Sequence, residues 1–228
     1  MDSADQLTVE TVLAWLGAGR RAVLVTVAAT WGSAPRPPGA WAAIRDDGAV
    51  VGSVSGGCVE EDLIARVGAG EFAAGVHVLR YGGTPEESAR FGLPCGGTLE
   101  LVVEGSPGVA ELRLLHEHVI SRRVTVRTVD VSGGRVLLEN AALGQPHAWD
   151  GKRLTTVYGP RHRLLLIGAG QISLHLARLA QVLDYEVYVC DPRQEYRSGW
   201  DVPGTQLLAG MPDDVVKELL PDPRLAVV

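Results

Sequence analysis

Gly52-Ser53-Val54-Ser55-Gly56-Gly57-Cys58-Val59-Glu60-Glu61 sets the architecture of the first half of this chain. A short β-type run, Ala49 to Val51, enters it, and a helical pattern, Val59 to Val67, leaves it. A strand therefore turns directly into a helix. Twin glycines permit positive φ and the close approach of another group. The first N–H groups of a helix lack internal partners and carry partial positive charge, which suits an anion or a thiolate. Cys58 stands at that point, and thiols so placed have lowered pKa values and react or bind ligands. Glu60 and Glu61, in the same first turn, push the other way. The alternative is a tight turn around a buried, inert cysteine.

The 228 residues give room for one large domain or two small ones. A hydrophobic share of 46% beside 21% charged residues fits a soluble globular protein, and 28 glycines imply many tight turns. A net charge of −6 argues against nucleic acid as the main partner. No apolar run approaches the roughly 18 residues of a membrane helix. The start, Met1-Asp2-Ser3-Ala4-Asp5, is acidic and polar, unlike a secretory signal. Three cysteines, at 58, 95 and 190, make an odd set that fits a reducing compartment, so a cytoplasmic location is expected.

Upstream of the glycine corner, Val9, Val12, Leu13 and Leu16 fall at helical spacing and Gly17 and Gly19 supply the stop. Arg21 to Val27 reads as a buried strand. Trp31 to Gly39 then packs three prolines and two glycines into a stiff loop whose only charge is Arg36. Such a loop either presents a binding group or is a plain surface turn. Trp41 to Arg45 and Ala49 to Val54 form a hairpin about Asp46-Asp47-Gly48.

Downstream, Val76 to Tyr81 is a further strand. Gly92-Leu93-Pro94-Cys95-Gly96-Gly97 then leads into the strand Thr98 to Val103, with a cysteine before a glycine pair instead of after one. Without a C-x-x-C pair zinc is not expected. Either Cys58 and Cys95, each beside paired glycines, converge on one ligand, or these are two unrelated turns. Val109 to Ser121 reads as a helix. His116 and His118, two apart on it, point different ways and cannot jointly hold a metal. A hairpin, Val124 to Val131 and Arg135 to Leu138, closes a first domain at 1–140. Residues 141–162 lack a period, contain Gly144, Pro146, Gly151, Gly159 and Pro160, and read as a linker; the basic residues around its second half, Lys152, Arg153, Arg161 and Arg163, are either a solvated charge run or a ligand-facing patch.

From Arg163 the pattern changes. Leu164 to Ile167 is a fully apolar strand, Gly168-Ala169-Gly170-Gln171-Ile172-Ser173 follows, and Leu176, Leu179, Ala180 and Leu183 share a helix face. Glu186 to Cys190 is a second strand ending at Asp191. This is a β-α-β unit with its glycines at the first turn and an acidic residue about 20 positions later. Gly168 permits the turn, Gly170 admits a pyrophosphate, Ser173 replaces the usual third glycine, and Asp191 accepts ribose hydroxyls. The alternative is a doubly wound domain without nucleotide. Cys190 reads as core. A short helix, Met211 to Leu220, and a buried strand, Leu225 to Val228, follow. With about three strands against the usual six, residues 163–228 read as a partial domain, cut short or completed by another chain. The fold class expected is α/β: an N-terminal mixed domain followed by a C-terminal Rossmann-like doubly wound domain.

Together these stretches resemble the XdhC/CoxI family of xanthine dehydrogenase accessory proteins. The match lies in Gly32-Ser33-Ala34-Pro35-Arg36 with Gly39, in Gly52 to Glu60, in Leu93 to Gly97, and in Gly168-Ala169-Gly170 with Asp191-Pro192-Arg193. The resemblance implies a cytoplasmic maturation factor that binds the molybdenum cofactor (molybdopterin) and delivers it to an apo molybdenum hydroxylase. The client would be a xanthine dehydrogenase or a CO-dehydrogenase-like enzyme, with a cysteine desulfurase as a further partner. It also implies that Cys58 and Cys95 lie nearest the cofactor as molybdenum contacts, and that Arg36 faces its phosphate. The candidate cofactor-binding set is Arg36, Ser55, Gly56, Gly57, Cys58, Glu60, Cys95, Gly96 and Gly97, with Gly168, Gly170, Ser173 and Asp191 for NAD(P) or another dinucleotide. A homo-oligomer is expected from the unfinished sheet. Molybdenum favours soft sulfur ligands, and no Ser-His-Asp, H-E-x-x-H or G-x-S-x-G pattern is present, so binding groups outnumber catalytic ones. The competing reading is a NAD(P)- or FAD-dependent oxidoreductase with a reactive cysteine. The chain departs from the family at Trp41 and Ala42, where a basic residue and a methionine are usual, and at Ser173.

Overall fold

A computed structural model describes residues 1–32, 34–57, 59–84, 97–141 and 145–228. They form two compact units, Ser3–Gly159 and Pro160–Val228. The architecture is mixed α/β.

The first unit is built on a long central strand, β1 (Ala22–Trp31), whose apolar run is continuous because both its faces are covered. It lies in an antiparallel five-stranded sheet with β2 (Trp41–Arg45), β3 (Val50–Gly52), β4 (Val76–Tyr81) and β5 (Thr98–Glu104), in the order β3-β2-β1-β5-β4. Alternate residues sort the two faces. Val23, Val25 and Val27 join Ile44, Leu101 and Val103 on one side, closed by Val59 and by Leu63 of α2 (Glu60–Gly68). Leu24, Trp41 and Ala43 face the other, against Val9 and Val12 of α1 (Ser3–Gly17) and Leu112, Leu115 and Val119 of α3 (Val109–Ile120). The hairpin turn between β2 and β3 follows its sequence chemistry. Gly48 has φ +87°, and its N–H donates to the Arg45 carbonyl at 2.9 Å.

A second antiparallel sheet holds β6 (Thr125–Asp130), β7 (Val136–Asn140), β8 (Ala148–Trp149) and β9 (Arg153–Tyr158), in the order β7-β6-β9-β8. This corrects the linker expected at 141–162: β9 pairs with β6 along its whole length, and the unit extends to Gly159. Strand alternation explains why, since Leu154, Thr156 and Tyr158 are buried while Arg153, Thr155 and Val157 are not. β8 is tied to the first sheet by the Trp149 indole N–H, which donates to Glu100 at 2.7 Å.

One fully buried cation joins the layers. Arg127 of β6 donates to both oxygens of Glu104 at 2.9 and 2.8 Å and to Glu111 of α3 at 2.6 Å. Burying such ions costs several kcal/mol each and is offset only by full, well-aligned pairing. The guanidinium fork supplies that pairing, and its Cζ lies 5.6 Å from the centroid of the Trp41 ring.

The second unit is a parallel four-stranded sheet of β10 (Arg163–Ile167), β11 (Glu186–Cys190), β12 (Gln206–Leu208) and β13 (Leu225–Val227), in the order β12-β11-β10-β13. Helix α4 (Gln171–Val182) covers one face through Ala177 and Ala180. Helix α6 (Pro212–Glu218) reaches the other through Val215, which packs with Leu165 and the buried Cys190. A short α5 (Gln194–Ser198) follows β11. The sequence reading does not foresee β12, which is only three residues long. Among the described residues no helix is long and apolar enough to cross a membrane.

Candidate functional site

The corner between β3 and α2 is organised by the first residue of the helix. The Glu60 carboxylate turns back under the loop. Its Oε1 accepts the Ser53 hydroxyl at 2.7 Å and the N–H groups of Val54 and Ser55 at 2.9 and 3.0 Å. Its Oε2 accepts the N–H groups of Gly57 and Val59 at 3.0 and 3.2 Å, together with the Ser55 hydroxyl. The Ser53 Oγ takes the Gly56 N–H at 2.9 Å, and the Ser55 Oγ the Val59 N–H at 2.9 Å. Burial by itself pushes the Glu60 carboxyl up, but the Ser55 and Ser53 hydroxyls and the Val54 and Ser55 amides outweigh it and hold it at about 2. Glu61, the adjacent acid, is exposed.

Two glycines are demanded by geometry. Gly52 has φ +75°, and a Cβ there would lie 2.3 Å from the Trp41 carbonyl oxygen and 2.6 Å from Thr8 Oγ1. Gly57 has φ +116° but open space around it, so its requirement is conformational only.

The proline loop packs against this corner. A Cβ on Gly56 would touch Pro35 at 3.4 Å, and Arg36 donates to the Ser53 carbonyl at 3.2 Å. Arg36 also donates at 3.3 Å to Asp5 of α1, whose carboxylate takes the Trp41 N–H at 3.0 Å. Arg36 thus braces the loop through an ion pair, whereas the sequence reading has it facing a phosphate. At the other end of the same loop, a Cβ on Gly32 would sit 3.1 Å from Gly97 Cα. The structure therefore brings Arg36, Ser55, Gly56, Gly57 and Glu60 together and sets Gly97 against the loop that covers them. Cys58, Cys95 and Gly96 lie outside the described residues.

These bonds define what the corner can hold. The expected nest of open amides is filled from within: the N–H groups of Val54, Ser55, Gly56, Gly57 and Val59 all have acceptors. The reason is the carboxylate at the helix start, the place where an anion is most stabilised. Among the described residues no group of three or more His, Cys, Asp or Glu could hold a metal ion. Sequence reasoning missed Asp5, which is remote in the chain, and the half-exposed Trp31, over which Arg80 lies at 5.9 Å. It also missed Tyr81, whose hydroxyl donates to Asp62 at 2.8 Å and ties α2 to β4. None of these partners carries a local motif.

In the second unit Gly168 has φ +102°, and its N–H donates to the Cys190 carbonyl at 2.7 Å. Gly170 is the residue before α4, with φ −97° and no side-chain cap, and Ser173 is half-buried. Asp191 is fully buried, and its role differs from the ribose acceptor read from the sequence. Oδ2 takes the Ala169 N–H at 2.9 Å, and the Arg193 guanidinium closes on both oxygens at 2.9 Å each. That guanidinium, with burial opposing it, holds the carboxyl well below the usual carboxylate range. Arg193 also lies 3.8 Å over the Tyr196 ring. Burial raises the Cys190 thiol, whose Sγ meets the Gly210 carbonyl at 3.2 Å.

Residues 15–82 match the family described as XdhC and CoxI family. Over 236 residues the chain is 28% identical to a probable xanthine dehydrogenase subunit from Bacillus subtilis (strain 168), spanning 91% of this chain and 71% of that protein. It is 31% identical over 186 residues to the molybdenum cofactor insertion chaperone PaoD of Escherichia coli (strain K12), spanning 77% of this chain and 54% of that protein. Its fold is similar to that seen in a crystal structure of a xanthine dehydrogenase from Bacillus halodurans, with TM-score 0.76 over 98% of this chain and 73% of that one. At 22% identity that likeness is one of fold.

Proposed function

We propose that this chain, which resembles the XdhC and CoxI family and matches it over residues 15–82, is an insertion chaperone. It holds the molybdenum cofactor and passes it to an apo molybdenum hydroxylase of the xanthine dehydrogenase type. One observation carries the reading: within the matched stretch, the Glu60 carboxylate holds the N–H groups of Gly57 and Val59, the two residues that precede and follow Cys58 in the sequence. A cysteine thiolate is the soft donor that suits molybdenum. The donor set fits the metal end of the cofactor. It does not fit the phosphate end, because the corner's amides already have acceptors. When bound, the cofactor supplies the metal centre on which the client enzyme works. The chain's own residues hold and shield: Cys58 binds, Glu60 and Ser55 keep the loop shaped, and Arg36 with Asp5 locks the proline loop over it. The placement of Gly97 against Gly32 supports a role for Cys95 at the same site.

The parallel order β12-β11-β10-β13, with a positive-φ glycine at the first turn, supports a Rossmann-like reading of the second unit. A dinucleotide there would need Arg193 to release Asp191.

The test is mass spectrometry and molybdenum analysis of the protein purified without oxygen from a molybdenum-replete host. The wild-type chain retains pterin and metal. Cys58→Ala folds normally, by circular dichroism, and retains about tenfold less or lower still, as expected for the loss of one strong ligand contact. Equal retention by the variant refutes the reading.

A further inference from the structure

The two strand-to-helix turns of this chain are finished in opposite ways. In the first, Glu60 fills the amides of the corner from within. In the second, α4 begins after Gly170 with no side-chain cap, and a Cβ on Gly168 or Gly170 would meet nothing within 4 Å. What occupies this turn stands at the end of the neighbouring strand. A carboxylate has about four places to accept a hydrogen bond, and those of Asp191 are all taken. Its Oδ1 holds the main-chain N–H and the Nε–H of Arg193 at 3.0 and 2.9 Å. Its Oδ2 holds the Ala169 N–H and the Nη2 of Arg193, both at 2.9 Å. The Asp191 side chain is 1% exposed. Ribose hydroxyls would find no free lone pair on it.

Arg193 is in the opposite condition. Its side chain is 53% exposed, and its Nη1 has no acceptor among the described residues. The Cζ lies 3.8 Å from the centroid of the Tyr196 ring, which steadies the planar fork. Because Asp191 also holds the Ala169 N–H, this cation sits one carboxylate away from the glycine turn. Of the two charges that follow, Glu195 and Arg197, the second is tied through its Nη1 to the Asp191 carbonyl at 2.7 Å.

We propose that the second unit selects an adenine dinucleotide bearing a ribose 2′-phosphate over one bearing a 2′-hydroxyl, with Arg193 as the selecting residue. The inference rests on the Rossmann-like reading of this unit and adds a specificity to it. A 2′-hydroxyl needs Asp191 as its acceptor, and reaches it only by driving off the Arg193 fork and leaving that cation without a partner. A 2′-phosphate brings its own anion. It lands on the unspent Nη1 donors, and the fork exchanges one bidentate partner for another. Asp191 keeps the Ala169 and Arg193 main-chain N–H groups and turns its two freed lone pairs to the 3′-hydroxyl. Arg193 then lies between the two anions. The carboxylate is a placeholder that only another anion displaces without loss.

Calorimetric titration of the full chain tests this with NADP⁺, NAD⁺ and coenzyme A, whose ribose phosphate is on the 3′ carbon. NADP⁺ should bind about tenfold or more tightly than NAD⁺, the size of one charge-assisted contact. Arg193→Gln should weaken NADP⁺ by about the same factor and strengthen NAD⁺, because it frees Asp191. A residue that merely props the loop would weaken both. Arg193→Lys, which keeps the charge and loses the fork, should retain part of the preference. Coenzyme A binding as tightly as NADP⁺ overturns the 2′ assignment. Equal affinities for NADP⁺ and NAD⁺, or weakening of both in Arg193→Gln with the fold intact by circular dichroism, overturn the selectivity and leave the Rossmann-like reading standing. Silence of all three probes at millimolar concentration removes both.

Discussion

Glu60→Gln replaces one accepting oxygen at the heart of the corner with an amino group. Oε1 serves the Val54 and Ser55 amides, and Oε2 serves those of Gly57 and Val59. Whichever way the new amide turns, two main-chain N–H groups face a donor. A buried donor left without an acceptor costs about 1–3 kcal/mol, so about 3 kcal/mol is a conservative total. A separate route gives the same size. The Glu60 carboxyl falls from 4.5 to about 2 in the folded protein, and at about 1.4 kcal/mol per pH unit that is again about 3 kcal/mol. Since the folded value lies below the unfolded one, this stability is present above pH 4.5 and is lost as the pH falls towards 2. Urea unfolding can be followed by tryptophan fluorescence, because four of the five tryptophans (15, 31, 41 and 149) lie in Ser3–Gly159. Hydrogen exchange at Val54, Ser55, Gly57 and Val59 reports the corner directly. The variant should lose protection there and unfold at lower urea, and its deficit should shrink on acidification. A variant within about 1 kcal/mol of wild type at neutral pH, less than one unsatisfied amide costs, would refute the reasoning. So would a deficit that does not change with pH.

Arg127→Met leaves two buried carboxylates without a counter-ion and should cost about 3–5 kcal/mol by urea unfolding, whereas the triple change with Glu104→Leu and Glu111→Leu should regain most of it. Burial raises the Glu111 carboxyl in spite of Arg127, so its contribution is full at low pH and is lost as the pH rises through the folded value. The single variant should therefore be weakest at neutral pH and recover as the carboxylates protonate. Gly52→Ala forces a methyl group onto the Trp41 carbonyl at positive φ and should yield insoluble protein or a loss above about 4 kcal/mol. Gly57→Ala, strained but unobstructed, should cost only about 1–3 kcal/mol.

How much of this was legible depended on how local each feature is. The run 22–27 and the Asp46-Asp47-Gly48 turn declare β1 and the β2–β3 hairpin, because continuous apolar character and turn chemistry are properties of neighbours. β9 was hidden: Arg153-Leu154-Thr155-Thr156-Val157-Tyr158 does alternate, but its buried face includes a threonine and glycines flank it closely. The Arg127 cluster draws on β5, α3 and β6, and no spacing rule links such positions. The glycine corner was visible as a site, but its internal wiring was not. Nothing in Val59-Glu60-Glu61 says which acid folds inward, since that choice is made by the Ser53 and Ser55 hydroxyls on the far side of the turn.

That wiring bears on what the corner can attract. An open helix start favours a thiolate and a bound phosphate alike, because its N–H dipoles are unspent. Here the dipoles are spent on the carboxylate of Glu60, which adds a full negative charge beneath the amides on either side of Cys58 in the chain. A second anion would gain no amide bonds there and would meet repulsion. A metal centre does not depend on those amides: it is held through a thiolate, whose proton it displaces on binding. Under the proposed function, the same Glu60 that makes the corner rigid would disfavour the phosphate end of the cofactor there and leave the Cys58 thiol for its metal end.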